Sequence, residues 1–221
     1  MAAPSIHASL KPSFAPSLGT TEPKAIQDVI SALSMIPHIE GGYFAETDRD
    51  RLIIPSPFPQ DTSYSSEAAQ LVPQREGFDP RYRNASTTIY YLLTPSSPQG
   101  NFHRNRARTV HTLHRGRGVY VLIHADEDGD QEGRKRIESF VVGPDVSKGE
   151  RLQWIVEGGK YKASFLLPDA RSDGESEGLL ITETVVPGFE YCDHDFLRRG
   201  GLEKLVGKEQ AENLSWLVRN D

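Results

Sequence analysis

The stretch Ile36-Pro-His-Ile-Glu-Gly-Gly-Tyr-Phe-Ala-Glu-Thr47 divides the chain into two textures. Ahead of it the pattern is helical. Thr21, Glu22 and Pro23 give a start signal, and Ile26, Val29, Ile30 and Leu33 fall on one helical face. Ser34 to Pro37 end that helix. After Gly42, short apolar, β-branched or aromatic runs alternate with Gly, Pro and Asp turns. The runs are Thr87–Leu93, Val119–His124, Ile137–Val142, Leu152–Val156, Tyr161–Leu167 and Leu179–Val186. Many short strands with turns between them predict an all-β antiparallel sandwich or barrel. No helical pattern separates them, which argues against a parallel α/β sheet.

Outward from this core, residues 1–20 are rich in Ala, Pro and Ser and carry no period, so they read as a disordered tail. Residues from about 50 to 85 hold Pro, Ser and Gln with scattered charges. They read as a surface insertion with a short helix near Ser66–Leu71. From about 202 to 219 the pattern is helical again, with Leu202, Leu205, Val206, Leu214, Leu217 and Val218 on one side. Residues 21–221 thus form one domain with an N-terminal helix and a C-terminal helical segment.

Composition narrows the function classes. The chain has 221 residues, 25 basic against 31 acidic, and one Cys. A single Cys excludes a disulfide framework and a cysteine-built zinc site. The mild net acidity argues against nucleic acid as a partner. No apolar run approaches the ~20 residues of a membrane span, and Met1 to Leu18 lack the apolar centre of a signal peptide. The expectation is a cytoplasmic globular protein with no membrane partner.

The conspicuous local motifs fail. Asp126-Glu-Asp128-Gly-Asp130 begins like a calcium loop, but Gln131 and Ile137 stand where that loop needs Gly and Glu. A solvated hairpin loop fits it better. His103, His111 and His114 match no standard zinc spacing. Cys192 and His194, two apart on one strand face, can form a nucleophile–base pair. There is no phosphate-binding glycine loop and no Gly-x-Ser-x-Gly elbow.

Five segments together resemble one family. They are Ile36–Thr47 above, Thr88-Ile-Tyr-Tyr-Leu-Leu93, Asn101-Phe-His-Arg104, Val142-Gly-Pro-Asp145 and Val185-Val-Pro-Gly-Phe-Glu-Tyr191. In this order they resemble the small cupins of the cupin-5 type, from about Ile26 to Leu197. The insertion and helical end are most similar to fungal members. The resemblance implies a double-stranded β-helix, the cupin jelly roll, with a small-molecule pocket in its mouth and pairing into a homodimer.

Metal-binding cupins carry two motifs, His-x-His-x3–4-Glu-x6-Gly and Pro-x-Gly-x2-His. Laid on this chain, the first frame falls on His103, Asn105, Thr109 and Gly116, and the second on Glu157, Gly159 and Lys162. One of four ligands survives. Asn and Thr are weak ligands and a protonated Lys repels a cation, so no tightly bound metal and no cofactor is expected. If the frame holds, these positions point into the barrel, and period two adds His111, Leu113 and Ser164. Tyr43, Glu46 and Tyr120 approach the same mouth.

This set can act without a metal. His103 or His111 can move protons near neutral pH. Lys162 can serve as base, amine nucleophile or anion-binding group, and Tyr43 can donate a proton. Glu46, Asn105, Thr109, Tyr120 and Ser164 would hold the substrate. The expected function is a metal-independent enzyme acting on a small organic metabolite by acid–base chemistry, of isomerase, epimerase or cyclase type. The alternatives are a non-catalytic small-molecule-binding cupin, and a metal cupin using His103, His111 and Glu46.

Overall fold

The computed structural model describes residues 10–17, 21–58, 70–170 and 173–219. The N-terminal helical pattern forms α1, Lys24–Ala32, which buries Ile26 and turns Val29, Ile30 and Leu33 the same way. Thirteen strands follow among the described residues. In chain order they are β1 (Ile36–Pro37), β2 (Tyr43–Arg49), β3 (Ile53–Pro55), β4 (Tyr82–Asn84), β5 (Thr87–Leu93), β6 (Gln99–Asn105), β7 (Arg108–Arg115), β8 (Arg117–Ile123), β9 (Ile137–Val142), β10 (Gln153–Val156), β11 (Tyr161–Leu167), β12 (Leu179–Val186) and β13 (His194–Phe196). Helices α2 (Arg199–Val206) and α3 (Lys208–Leu214) close the chain. None of the described helices is long and apolar enough to cross a membrane.

The strands make two main sheets, ordered β1-β2-β5-β12-β7-β10 and β13-β6-β11-β8-β9. Strand neighbours in both run antiparallel. The sheets face each other as a jelly roll. Side chains alternate across each strand. On β8, Tyr120 and Leu122 point inward with Phe140, Trp154 and Ile181, whereas Val119, Val121 and Ile123 point outward.

Both sheets are covered on their outer faces too. Leu202, Val206, Leu214 and Leu217 from α2, α3 and the turn after them lie on Val119, Val121, Ala163 and Phe165. On the other side α1 lies on Leu92 and Met35. Apolar residues therefore suit both faces of β5, β8 and β11. That is why these runs read as near-continuous apolar stretches rather than strict alternation, although the sheets are antiparallel.

Three strands escape the apolar pattern. The β2, β6 and β7 sequences, YFAETDR, QGNFHRN and RTVHTLHR, are mostly polar. Most of their inward positions carry polar groups of the barrel mouth, with Phe44 and Leu113 as the apolar exceptions.

Part of the 50–85 stretch is built into the protein rather than laid over its surface. β3 and β4 form a separate two-stranded ribbon. The guanidinium of Arg83 donates to both Asp193 oxygens, at 2.9 and 3.0 Å, and both groups are buried. The helix expected near Ser66–Leu71 lies almost wholly outside the described residues, as do 1–9 and 18–20 of the expected tail. The acidic Asp126–Asp130 stretch lies in the β8–β9 connection. There Arg134 pairs with Asp130 at 2.9 Å, and both are exposed.

The C-terminal helical layer seals the outer face of the second sheet, and Leu202 at its centre is fully buried. Leu202→Ala should lower the unfolding free energy by about 2–5 kcal/mol, the usual cost of such a cavity. Urea denaturation checks this. A loss below about 1 kcal/mol would mean that the layer is a loose appendage.

Candidate functional site

Two groups of ionisable side chains meet inside the barrel. The first joins the two sheets. Lys162 on β11 faces Glu183 on β12, with Nζ 2.5 Å from Oε2. The same ammonium lies 3.0 Å from Nε2 of His111 on β7. Lys162 can only donate, so His111 accepts at Nε2 and carries its proton on Nδ1. The relative exposures of Lys162, Glu183 and His111 are 3%, 6% and 0%. The His111 ring stacks on Trp154 at 5.1 Å and meets Tyr120 edge-on at 5.4 Å.

Charges this deep must offset one another. Burial pushes Glu183 up, but the Lys162 ammonium beside it outweighs that and leaves the carboxyl well below its usual range. Burial, reinforced by Lys162, lowers His111. The imidazole is therefore neutral at pH 7 while the Lys–Glu pair is charged. Burial also raises Tyr91 and Tyr120 well above an ordinary phenol, and both hydroxyls share Ser164 as a hydrogen-bond partner.

The second group is built on the turn before β2. Gly41 and Gly42 adopt φ of +106° and +69°, which favour glycine. A Cβ at Gly41 would sit 2.1 Å from the Gln99 carbonyl oxygen. This close approach lets Asn101 N–H donate to the Glu40 carbonyl at 2.7 Å. The Tyr91 hydroxyl donates to the Gly41 carbonyl at 2.8 Å. Glu40 is thus pinned beside β6. Its Oε1 lies 2.8 Å from His194 Nε2 and 3.2 Å from His103 Nε2, and its Oε2 lies 3.5 Å from His38 Nδ1. The rings of His103 and His194 stack at 5.0 Å. Burial pushes Glu40 up, but the histidines around it outweigh that and hold it well below the carboxylate range.

A cavity of about 250 Å³ opens over these groups. Its walls include Glu40, Glu183, Asn105, Phe44, Phe189 and Tyr191. Val72, Pro73, Gln74 and Arg75, from the end of the insertion, form one side. Arg75 is held there by Glu190 at 2.9 Å, which also binds Arg49 at 2.9 Å. Arg49 in turn clasps Glu46 at 2.7 Å.

The expected site residues separate into four sets. Glu46 and Asn105 line the cavity. His103, His111 and Lys162 are buried and contact the wall carboxylates Glu40 and Glu183. Thr109, Tyr120 and Ser164 are buried and inward but do not line the cavity. Tyr43 goes elsewhere. It packs outward with α1 against Ile26, Met35 and Leu92, while Phe44 and Glu46 take the inward phase. A proton donated from Tyr43 has no route into the barrel. His114 is also outward and bonds Thr182 on the sheet surface.

The Cys192–His194 pairing does not form. Cys192 Sγ lies 3.9 Å from the Arg83 and Asp193 side chains, and His194 is engaged by Glu40. Burial pushes the thiol up to about 11, the reverse of what a nucleophilic cysteine needs. The metal set His103, His111 and Glu46 is not assembled either. Glu46 is taken by Arg49, and His111 by Lys162.

Glu40 and Glu183 were missed, and so was His194's place beside Glu40. One signal was readable. In Leu179-Leu-Ile-Thr-Glu-Thr-Val185, Glu183 shares the phase of Leu179, Ile181 and Val185, so it is a carboxylate in the buried phase of a strand.

A jelly roll with a polar, partly lidded mouth defines the class, a cupin barrel. The chain belongs to the family described as Cupin superfamily (DUF985), whose model matches residues 27–197. It is 43% identical over 198 residues to "Uncharacterized protein YML079W" of Saccharomyces cerevisiae, covering 89% of this chain and 87% of that protein. A hypothetical protein from Leishmania major superposes with a TM-score of 0.66 at 26% identity, covering 88% of this chain and 98% of that one. Protein SO0799 from Shewanella oneidensis has a similar fold, with a TM-score of 0.62 at 21% identity over 88% and 98% of the two chains.

Two predictions concern the buried trio. Lys162→Met alone leaves Glu183 charged and unpaired, and should cost about 3–5 kcal/mol in urea unfolding. The double variant Lys162→Met/Glu183→Leu should recover most of that loss. Equal losses in both would show that the pair is not the source. The second prediction concerns pH. His111 has a lowered folded-state pKa, so below pH 6.5 the unfolded chain binds a proton that the native state refuses. Its contribution to stability is present above 6.5 and lost as pH falls. In His111→Gln, the fall of the urea midpoint between pH 7 and pH 5 should be shallower than in the parent protein.

Proposed function

We propose that this chain is an acid–base enzyme on a small organic metabolite, an isomerase, epimerase or cyclase, with the substrate in the barrel mouth. The observation that carries the reading is the Lys162–Glu183–His111 trio at the cavity wall. A buried charge pair gives a barrel no more stability than apolar residues of the same volume would. Strongly perturbed ionisable groups beside a cavity are where proton chemistry is done.

The roles follow from position. Glu183 presents its carboxylate to the cavity and accepts a hydrogen bond or a proton from the substrate. Lys162 bridges Glu183 to the neutral imidazole of His111. The trio therefore holds one additional proton as a unit, whichever member carries it at a given moment. This proton chemistry is assigned to side chains alone. Phe44, Phe189 and Tyr191 offer apolar faces to the carbon skeleton. Arg49 and Arg75 are already neutralised by Glu46 and Glu190, so an uncharged, hydroxyl-bearing substrate suits the cavity better than an anion. A homodimer belongs to the same reading. Its support is the edge strand β10 with the residue just before it, where Ile155 and Leu152 lie exposed and apolar.

The test is carbon-bound hydrogen exchange. The protein is incubated in D2O with a panel of small polyhydroxy aldehydes, ketones and lactones, and deuterium next to the carbonyl is read by NMR. At least one compound should exchange. Glu183→Gln should slow that exchange by about 10²–10⁴-fold while the compound still binds, the usual contribution of a positioned acid–base group. Binding without exchange in the parent protein would make the chain a non-catalytic binding cupin instead.

A further inference from the structure

We propose that Glu40, His103 and His194 form a binding site for one divalent first-row transition-metal ion at the cavity wall. Each residue offers one ligand atom, and these atoms all lie within 4.8 Å of one another. Two imidazoles and one carboxylate are a donor set suited to zinc, cobalt(II) or iron(II). The three come from separate elements, the turn before β2, β6 and β13. All three are buried.

The decisive feature is an unpartnered lone pair. His103 Nδ1 lies 2.8 Å from the Asn101 carbonyl oxygen. A carbonyl only accepts, so Nδ1 carries the proton and Nε2 carries the lone pair. Fixing the imidazole through its second nitrogen in this way is what metal-ligating histidines require. His103 Nε2 then faces Glu40 Oε1 at 3.2 Å, makes no hydrogen bond, and is buried. Two electron-rich atoms this close inside a protein repel each other unless a cation lies between them. His194 Nε2 lies 2.8 Å from the same oxygen, and its Nδ1 has no hydrogen-bond partner. The carboxylate only accepts, so this Nε2 carries the proton in the ion-free protein; an ion that binds there takes the proton's place, and the unpartnered Nδ1 can receive it. Ligands 2.0–2.2 Å from an ion sit about 3.0–3.5 Å from one another, so small side-chain shifts would admit one.

The surroundings favour a cation. Among the cavity-wall carboxylates, Glu46 and Glu190 are paired with Arg49 and Arg75, and Glu183 with Lys162, which leaves Glu40 facing only imidazoles. Another cluster shows the contrast. His124, Asp126 and Glu127 also converge, but the Lys160 ammonium lies between them at 2.8, 2.8 and 3.0 Å. That place is already taken by a cation. The proposed site shares only His103 with the cupin frame laid on the sequence. In that frame the fourth position is Lys162, and its charge is spent on Glu183. The expectation of no metal counted ligands within the two motifs alone, and both Glu40 and His194 lie outside them.

The full chain, stripped with chelator and dialysed into metal-free buffer, is titrated with Zn²⁺ by calorimetry and with Co²⁺ by visible absorption. One ion per chain should bind, with a cobalt spectrum typical of nitrogen and oxygen donors. His194→Ala should weaken binding at least about tenfold. So should Glu40→Gln, which keeps the shape of the side chain, with circular dichroism confirming that both variants fold. His124→Ala should leave binding unchanged. No saturable uptake would overturn the site. So would uptake that survives Glu40→Gln and His194→Ala, or that disappears with His124→Ala. None of these readouts depends on turnover, so the outcome is separate from that of the exchange assay.

Discussion

The ion pair between Lys162 and Glu183 holds the mouth of the barrel in its present form. Its partners come from opposite sheets, Lys162 from β11 and Glu183 from β12. Elsewhere the sheets meet through Tyr91, Leu93, Leu122, Phe140, Trp154, Leu166 and Ile181, contacts that are strong but non-directional. At the mouth the contact is a charge pair with defined geometry. Removing either charge would leave the other stranded in a low-dielectric interior. The two sheets are therefore fixed in distance and register where a ligand would enter, and His111 and Trp154 are stacked behind the pair.

That arrangement explains which parts of the fold were legible in the sequence. β5, β9, β11 and β12 fall where the apolar runs lie, because helical layers cover the outer faces and every position in those runs is worth burying. β2, β6 and β7 were not visible as strands. Their inward residues include Glu46, His103, Asn105, Thr109 and His111, and polar residues in the inward phase erase the alternation that marks a strand. The same residues that make the mouth functional hide the strands that carry them.

The site was half legible for a related reason. His103, His111 and Lys162 were found by a frame that follows single strands. Glu40, Glu183 and His194 contact them only because separate strands and a turn converge, and no spacing along the chain encodes that. Their shared motif block sets Tyr43 and Glu46 together at the mouth, but the two lie three apart on β2 and so face opposite sides. Gly41 and Gly42 both take positive φ just before β2, so the phase of the strand cannot be carried through them. A one-residue shift exchanges every inward and outward side chain. Phe44 and Glu46 entered the cavity, and Tyr43 went to α1.

The two ionisable groups act on each other through the interior they share. Glu183 and Glu40 each disfavour the other's charge, and burial together with the Lys162 ammonium keeps His103 neutral. One centre is internally compensated, with Lys162 matching Glu183 and His111 neutral. The other places a carboxylate among three imidazoles with one lone pair unmet. A ligand that brings a hydroxyl to Glu183 leaves the first balance intact, since it donates into a charge already paired. Anything that binds at Glu40 must instead supply positive charge or a proton. The cavity therefore presents two chemically different walls to one small molecule, and such a difference can orient a substrate whose two ends are otherwise alike.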